Sequence, residues 1–137
     1  MKVLLDTNVI MDALQERQPF DAAAREILLL GQNGSIAIQF TANSIADIFY
    51  LYSKVRGNKQ AKDALSFLLN TYDVSTVTKE DCIRALALPN DDFEDALIEI
   101  CAEKAGVDYI VSRDEEFIKS ATAVGIITPA QLLSLLD

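Results

Sequence analysis

The sequence contains no histidine. That absence excludes Ser-His-Asp and Cys-His catalysis, imidazole general bases and most zinc sites. Any hydrolytic chemistry must therefore come from carboxylates, with a hard cation bound to oxygen ligands. Cysteine is scarce too. Cys82 and Cys101 stand apart inside helical patterns, without the short spacing of a metal-binding pair, and are expected to pack as small apolar side chains. No apolar run approaches the ~18 residues of a membrane span. Met1-Lys2 is followed only by Val3-Leu4-Leu5, too short for the apolar stretch of a signal peptide. A cytoplasmic protein with reduced thiols is expected. Positive charge is also short: 12 Lys and Arg face 21 Asp and Glu, for a net −9. Alone, that argues against a nucleic-acid partner, because phosphates select basic surfaces. It suits equally well a protein whose acids are held apart by a cation, so the charge does not decide.

What the chain does have is apolar matter. Half of its 137 residues are hydrophobic, enough for one core and a single domain over residues 1–137. Short β-rich runs at Lys2–Leu5, Ser35–Gln39, Asp73–Thr76, Tyr109–Ser112 and Gly125–Ile127 alternate with helical patterns. The helices are expected near Thr7–Leu14, Asp21–Gly31, Ala42–Val55, Lys59–Leu69, Lys79–Leu86, Asp92–Ala105 and Pro129–Leu136. In the third of these, Ile45, Ile48, Phe49 and Tyr52 recur at i, i+3, i+4, i+7. Gly31 and Gly106 stand where C-terminal caps belong, and Pro129 stands at a first helical turn. The alternation predicts an α/β fold with a mostly parallel five-stranded sheet, covered on both faces. In such sheets ligands bind beyond the carboxyl ends of the strands, where strand order reverses.

Four acids are candidates for that place. Asp6 directly follows the first strand, and Asp114 follows the fourth by way of Ser112-Arg113. Each could instead be a helix N-cap. Asp95 lies in Asn90-Asp91-Asp92-Phe93-Glu94-Asp95-Ala96-Leu97, whose acids could simply oppose the helix dipole, with Asp91 and Glu94 forming a capping box. Their mutual repulsion would favour a cation. Asp47 is the one ionisable residue in Ala42–Tyr52. It is expected to be partly buried, unless Ser44 and Asp47 form a capping box. Gathered carboxylates without histidine point to Mg²⁺ or Mn²⁺.

At these residues the chain resembles the PIN-domain family. Val3-Leu4-Leu5-Asp6-Thr7-Asn8 matches the family's opening, Asp47 stands where an acid, more often Glu, lies in the helix after strand two, Asp95-Ala96-Leu97-Ile98 matches the third motif, and Ser112-Arg113-Asp114 with Phe117 matches the fourth. Glu94 beside Asp95 leaves a register ambiguity. The resemblance runs from Lys2 to Leu136. It implies a three-layer α/β/α sandwich and a Mg²⁺- or Mn²⁺-dependent endoribonuclease acting on single-stranded RNA. It also implies kinship with VapC-type toxins, hence a small antitoxin partner and a homodimer. Asp6, Asp47, Asp95 and Asp114 would then be the catalytic and metal-binding acids, with Asn8 and Ser112 as donors that fix them. RNA contacts are expected from Arg113, beside the site, and from Lys54 and Arg56, which cluster with Lys59 and Lys62 near Gly57. A catalytically idle PIN fold acting as a binding module is the rival reading. A receiver domain lacks its acid at Tyr72–Thr76, and a dehalogenase-type phosphatase would need a second Asp where Asn8 stands.

Overall fold

Val3, Leu4 and Leu5 are all fully buried. Successive side chains of a strand point to opposite faces, so a run buried throughout needs cover on both. The computed structural model, which describes residues 1–120 and 123–137, supplies that cover. Strand β1 (Lys2–Leu5) is central, flanked by β2 (Ala37–Thr41) and β3 (Asp73–Ser75) on one side and by β4 (Tyr109–Val111) and β5 (Ile126–Ile127) on the other. All four pairings are parallel, in the order β3-β2-β1-β4-β5. Between the strands run α1 (Thr7–Leu14), α2 (Asp21–Gln32), α3 (Ala42–Arg56), α4 (Asn58–Thr71), α5 (Lys79–Leu86), α6 (Phe93–Ala105) and α7 (Glu115–Ser120), and α8 (Pro129–Leu136) follows β5.

The layers divide by side-chain parity. Val3 and Leu5 pack with Ile10, Ile27, Ile48, Leu68 and Leu132, which belong to α1, α2, α3, α4 and α8. Leu4 and Ile110 point the other way, onto Ile98, Cys101 and Ala102 of α6 and Phe117 of α7. Helix α5 seats on α6 through Ala85, Ala96, Leu97 and Ile100. The arrangement is a three-layer α/β/α sandwich, as expected, and its sheet is parallel throughout. Among the described residues no helix is long and apolar enough to cross a membrane.

Several local expectations shift. Gly31 is not a cap. Helix α2 continues to Gln32 and closes at Asn33, and Gly31 lies where an added Cβ would collide with the Ile38 side chain. Strand β2 starts two residues later than expected, because Ser35 and Ile36 still donate their N–H groups to Leu30 O. Helix α6 begins at Phe93, and its cap is Asp92, which accepts the Asp95 N–H at 3.0 Å, not Asp91. Gly106 closes α6 in the left-handed region at φ 67°, which favours glycine. Pro129 opens α8 inside a Thr128–Gln131 capping box. Cys101 is buried; Cys82 is only half-buried.

Candidate active site

Strand order reverses between β1 and β4, so the crevice of this fold lies where those two strands end. Asp6 follows β1 and is anchored at once, its backbone N–H donating to Val111 O at 2.9 Å. Its carboxylate is buried, and both oxygens accept hydrogen bonds. Thr7 N–H donates to Oδ1 at 2.8 Å, so Asp6 does cap α1. Ser112 Oγ donates to Oδ2 at 2.8 Å, and Asn8 Nδ2 reaches the same oxygen at 3.3 Å. The capping and ligand readings of Asp6 are therefore not exclusive, since Oδ1 accepts a single hydrogen bond among the described residues and can accept another contact.

Ser112 is wholly buried and ties three residues together. It gives its proton to Asp6 and accepts from Asp114 N–H at 3.1 Å and from Asn8 Nδ2 at 3.4 Å. Asp114 caps α7, its Oδ1 accepting from Glu116 N–H at 3.0 Å and from Phe117 N–H at 3.4 Å. Asn8 keeps its Oδ1 buried with no partner. A buried acceptor left without a donor is costly, and a cation or its hydration water would satisfy it.

Asp95 approaches from the first turn of α6. Burial pushes its carboxyl up to about 7, and Asp92, Asp6, Asp114 and Glu99 push in the same direction. Asp6 is raised too, chiefly by burial and then by Asp114 and Asp92, against the opposing hydrogen bonds from Ser112 and Thr7. These carboxylates therefore feel one another across three separate elements. Beside them lies a cleft of about 490 Å³ with Asp91, Asp92, Asp95, Asp114 and Glu116 in its wall.

Asp47 sits in the second turn of α3 and is partly buried, as expected. No capping box holds it. The helix starts at Ala42, and Ser44 instead joins a hydroxyl chain with Thr7 and Thr41, both at 2.9 Å. The partner of Asp47 is Glu94. The Asp47 carboxyl, followed by burial, raises Glu94 to about 7. Glu94 and Asp95 thus both feel the charge of Asp6, and Glu94 that of Asp47 as well.

Donors here are all oxygen, which suits a hard divalent ion. Among the described residues no three acidic side chains stand close enough to hold an ion by themselves. That spacing agrees with Mg²⁺, which keeps several of its waters and binds few protein ligands directly.

The cations behave differently from expectation. Arg113 turns away from the crevice and forks onto Asp12, with Nε–Oδ2 at 2.6 Å and Nη2–Oδ1 at 3.0 Å. Its guanidinium also lies 4.2 Å from the centre of the Phe20 ring. Lys54 and Arg56 occupy the exposed last turn of α3. Lys54 falls seven residues after Asp47, on the same helical stripe and about 10 Å further along the axis. Its Nζ stands 4.1 Å over the ring of Tyr50, which is 57% exposed.

Comparison with known proteins follows from this geometry. The family model of the PIN domain matches residues 2–116. The chain is 27% identical over 124 residues to ribonuclease VapC1 of Aquifex aeolicus, covering 85% of this chain and 83% of that protein. Among solved structures, VapBC2 of Rickettsia felis, bound to a promoter DNA fragment, superposes with a TM-score of 0.73 at 17% identity, over 93% of this chain and 98% of that one. A toxin–antitoxin complex from Klebsiella pneumoniae gives 0.68 at 21% identity, over 93% and 97%. VapC20 of Mycobacterium tuberculosis, a toxin that cleaves the sarcin–ricin loop, gives 0.68 at 15% identity, over 84% and 92%.

Proposed function

Because the chain belongs to the PIN domain family, we propose that it is a Mg²⁺- or Mn²⁺-dependent endoribonuclease, the toxin half of a toxin–antitoxin pair. The observation that carries this reading is the convergence of Asp6, Asp95 and Asp114 at the switch point of the sheet, where Ser112 bridges Asp6 to the Asp114 backbone and the charges of Asp6 and Asp114 raise the proton affinity of Asp95. The ribonuclease relative supports the substrate class. The VapBC neighbours support a small antitoxin as the protein partner.

Asp6, Asp95 and Asp114 would hold the cation directly or through water, with Asp47 and Glu94 flanking them. The cation supplies charge neutralisation at the scissile phosphate and acidifies the attacking water. The chain's own residues prepare the place. Ser112 and Thr7 N–H keep the Asp6 carboxylate oriented and, by donating to it, favour its charged form. Asp114 is pinned at both ends, by its N–H on Ser112 and by its carboxylate on the α7 amides. The Asp47–Glu94 pair is placed to orient water at the α3 side or to take up a proton. Lys54 and Arg56 offer the phosphate backbone a basic stretch along α3.

The test is cleavage of a mixed RNA pool with and without Mn²⁺, by the parent and by Asp6→Asn and Asp95→Asn. Cleavage that needs Mn²⁺ and disappears in both variants supports the reading; cleavage unchanged in either variant overturns it. The rival reading is a PIN fold that binds without cutting. A melting curve unmoved by millimolar Mn²⁺ would select it.

A further inference from the structure

Arg113 stands in the chain between two residues of the site, Ser112 and Asp114, yet its side chain leaves the crevice. It runs back to Asp12, which is 1% exposed and lies six residues after Asp6. The two contacts engage both carboxylate oxygens, and the guanidinium lies over the Phe20 ring. Arg17 offers Asp12 only a longer contact, at 3.8 Å. The fork is therefore the main answer to a buried negative charge.

This pair links two segments that each carry part of the site. Helix α1 presents Asp6, Thr7 and Asn8 at its first turn and Asp12 further on. The segment after β4 presents Ser112 and Asp114. Asp114 shares its end of the sheet with Asp6, Asp92 and Asp95, like charges that repel it. An exposed acid on a short loop can relieve that repulsion by swinging outward. A two-point guanidinium–carboxylate fork fixes both distance and orientation, which a lysine ammonium does not. We propose that the Asp12–Arg113 pair is a positioning device: a strut that holds the Ser112–Asp114 segment against α1 and so sets the spacing of Asp6 and Asp114 for the cation. Arg113 thus acts through its neighbours and not on RNA.

The activity arm of the test rests on the nuclease reading; the metal-binding arm does not. Arg113→Lys keeps the charge and loses the fork. Asp12→Asn keeps the shape and loses the charge, at a residue too buried to touch RNA. The double variant Asp12→Asn/Arg113→Gln restores a neutral hydrogen-bonded pair. For each, kcat and KM are measured on a single-stranded RNA oligonucleotide, Mn²⁺ affinity is measured without RNA, and melting is recorded. Outer partners of metal-binding groups typically govern affinity or activity by about 10- to 100-fold. Each single variant should lose roughly that much in kcat, with KM within about twofold, and bind Mn²⁺ roughly tenfold more weakly. The double variant should regain part of both. A raised KM and a flatter salt dependence in Arg113→Lys alone would make Arg113 an RNA contact and overturn the strut. Lower melting with unchanged kcat and Mn²⁺ affinity would reduce the pair to a stabilising contact. If Asp12→Asn does not fold, Arg113→Lys and its Mn²⁺ affinity decide. If the parent cuts no RNA, the nuclease reading fails and the Mn²⁺ measurement still decides the strut.

Discussion

Asp95→Asn should make the metal-free protein more stable at neutral and alkaline pH. The Asp95 carboxyl is raised from 3.8 to about 7, first by burial and then by Asp92, Asp6, Asp114 and Glu99. A group whose folded proton affinity exceeds its unfolded one contributes its full stability below the unfolded value. That contribution is lost as pH climbs through the folded value. For Asp95 the loss therefore develops between about pH 4 and pH 7. Taken in full, such a shift corresponds to roughly 4 kcal/mol, at about 1.4 kcal/mol per tenfold change in proton affinity. The side chain is partly open to water and shares its repulsion with several acids, so roughly 1–2 kcal/mol is the realistic cost. Asn keeps the size and removes the charge. With about 2 cal/mol/K of unfolding entropy per residue, the metal-free melting temperature should rise by roughly 3–7 °C at pH 8. The gain should fade as pH is lowered toward 4. Millimolar Mn²⁺ should stabilise the parent by mass action and the variant much less. Thermal melts of both proteins at pH 4, 6 and 8, with EDTA or Mn²⁺, read all of this. Equal melting at pH 8, or a less stable variant there, would refute the account of Asp95 as a carboxylate held in a repulsive cluster.

Asp6→Asn should abolish Mn²⁺-dependent RNA cleavage yet leave the fold intact, since the amide oxygen can still accept from Thr7 N–H while its NH2 donates to Ser112 Oγ; circular dichroism beside the cleavage assay checks both. Glu94→Gln should raise metal-free melting at pH 8 but not at pH 4, because Asp47 and burial hold that carboxyl near 7. A gain that persists at pH 4 would assign it to packing. Lys54→Glu with Arg56→Glu should weaken RNA binding and lower the log–log salt slope by about 1.4, the value for two contacts to a single strand. An unchanged slope would assign that end of α3 to solvent.

The fold was legible because its strongest signals are uninterrupted. Val3-Leu4-Leu5 could only be a strand buried on both faces, and an acid straight after it falls at the carboxyl edge of a parallel sheet. Asp114, just after β4, follows the same logic, whereas Asp95, in the first turn of α6, was picked out by the acidic helix start and the Asp95-Ala96-Leu97 motif. The reasoning about lone acids was applied to one helix only. Asp47 drew attention as the single charge in an apolar helix, and it is partly buried there. The same test applied to α1 would have found Asp12, the lone charge in Thr7–Leu14, and it is the acid that is buried. Its partner lies 101 residues away, so no local pattern could show that Arg113 was already engaged. Glu94 was hidden for another reason. Neighbours on a helix diverge by about 100°, yet the sequence left the register between Glu94 and Asp95 open. What raises Glu94 first is Asp47, which belongs to a different helix, α3, so no local pattern could show it.

The net charge of −9 can now be located. Asp6, Asp47, Asp91, Asp92, Glu94, Asp95, Asp114 and Glu116, eight of the 21 acidic residues, surround or adjoin the crevice. Without a cation this end of the sheet repels a phosphate backbone, and the basic last turn of α3 must attract it alone. A divalent ion removes two charges at the point of approach, where low-dielectric walls make each count most. RNA affinity itself should therefore depend on metal, and not cleavage only. On a timescale shorter than cleavage, binding of a labelled single-stranded RNA should strengthen when Mn²⁺ replaces EDTA at constant ionic strength. Asp95→Asn, with one charge fewer in the cluster, should bind more tightly than the parent in EDTA and gain less from Mn²⁺. If the parent binds RNA equally well in both conditions, its acids do not oppose the substrate, and the acidic crevice is not where the phosphate goes.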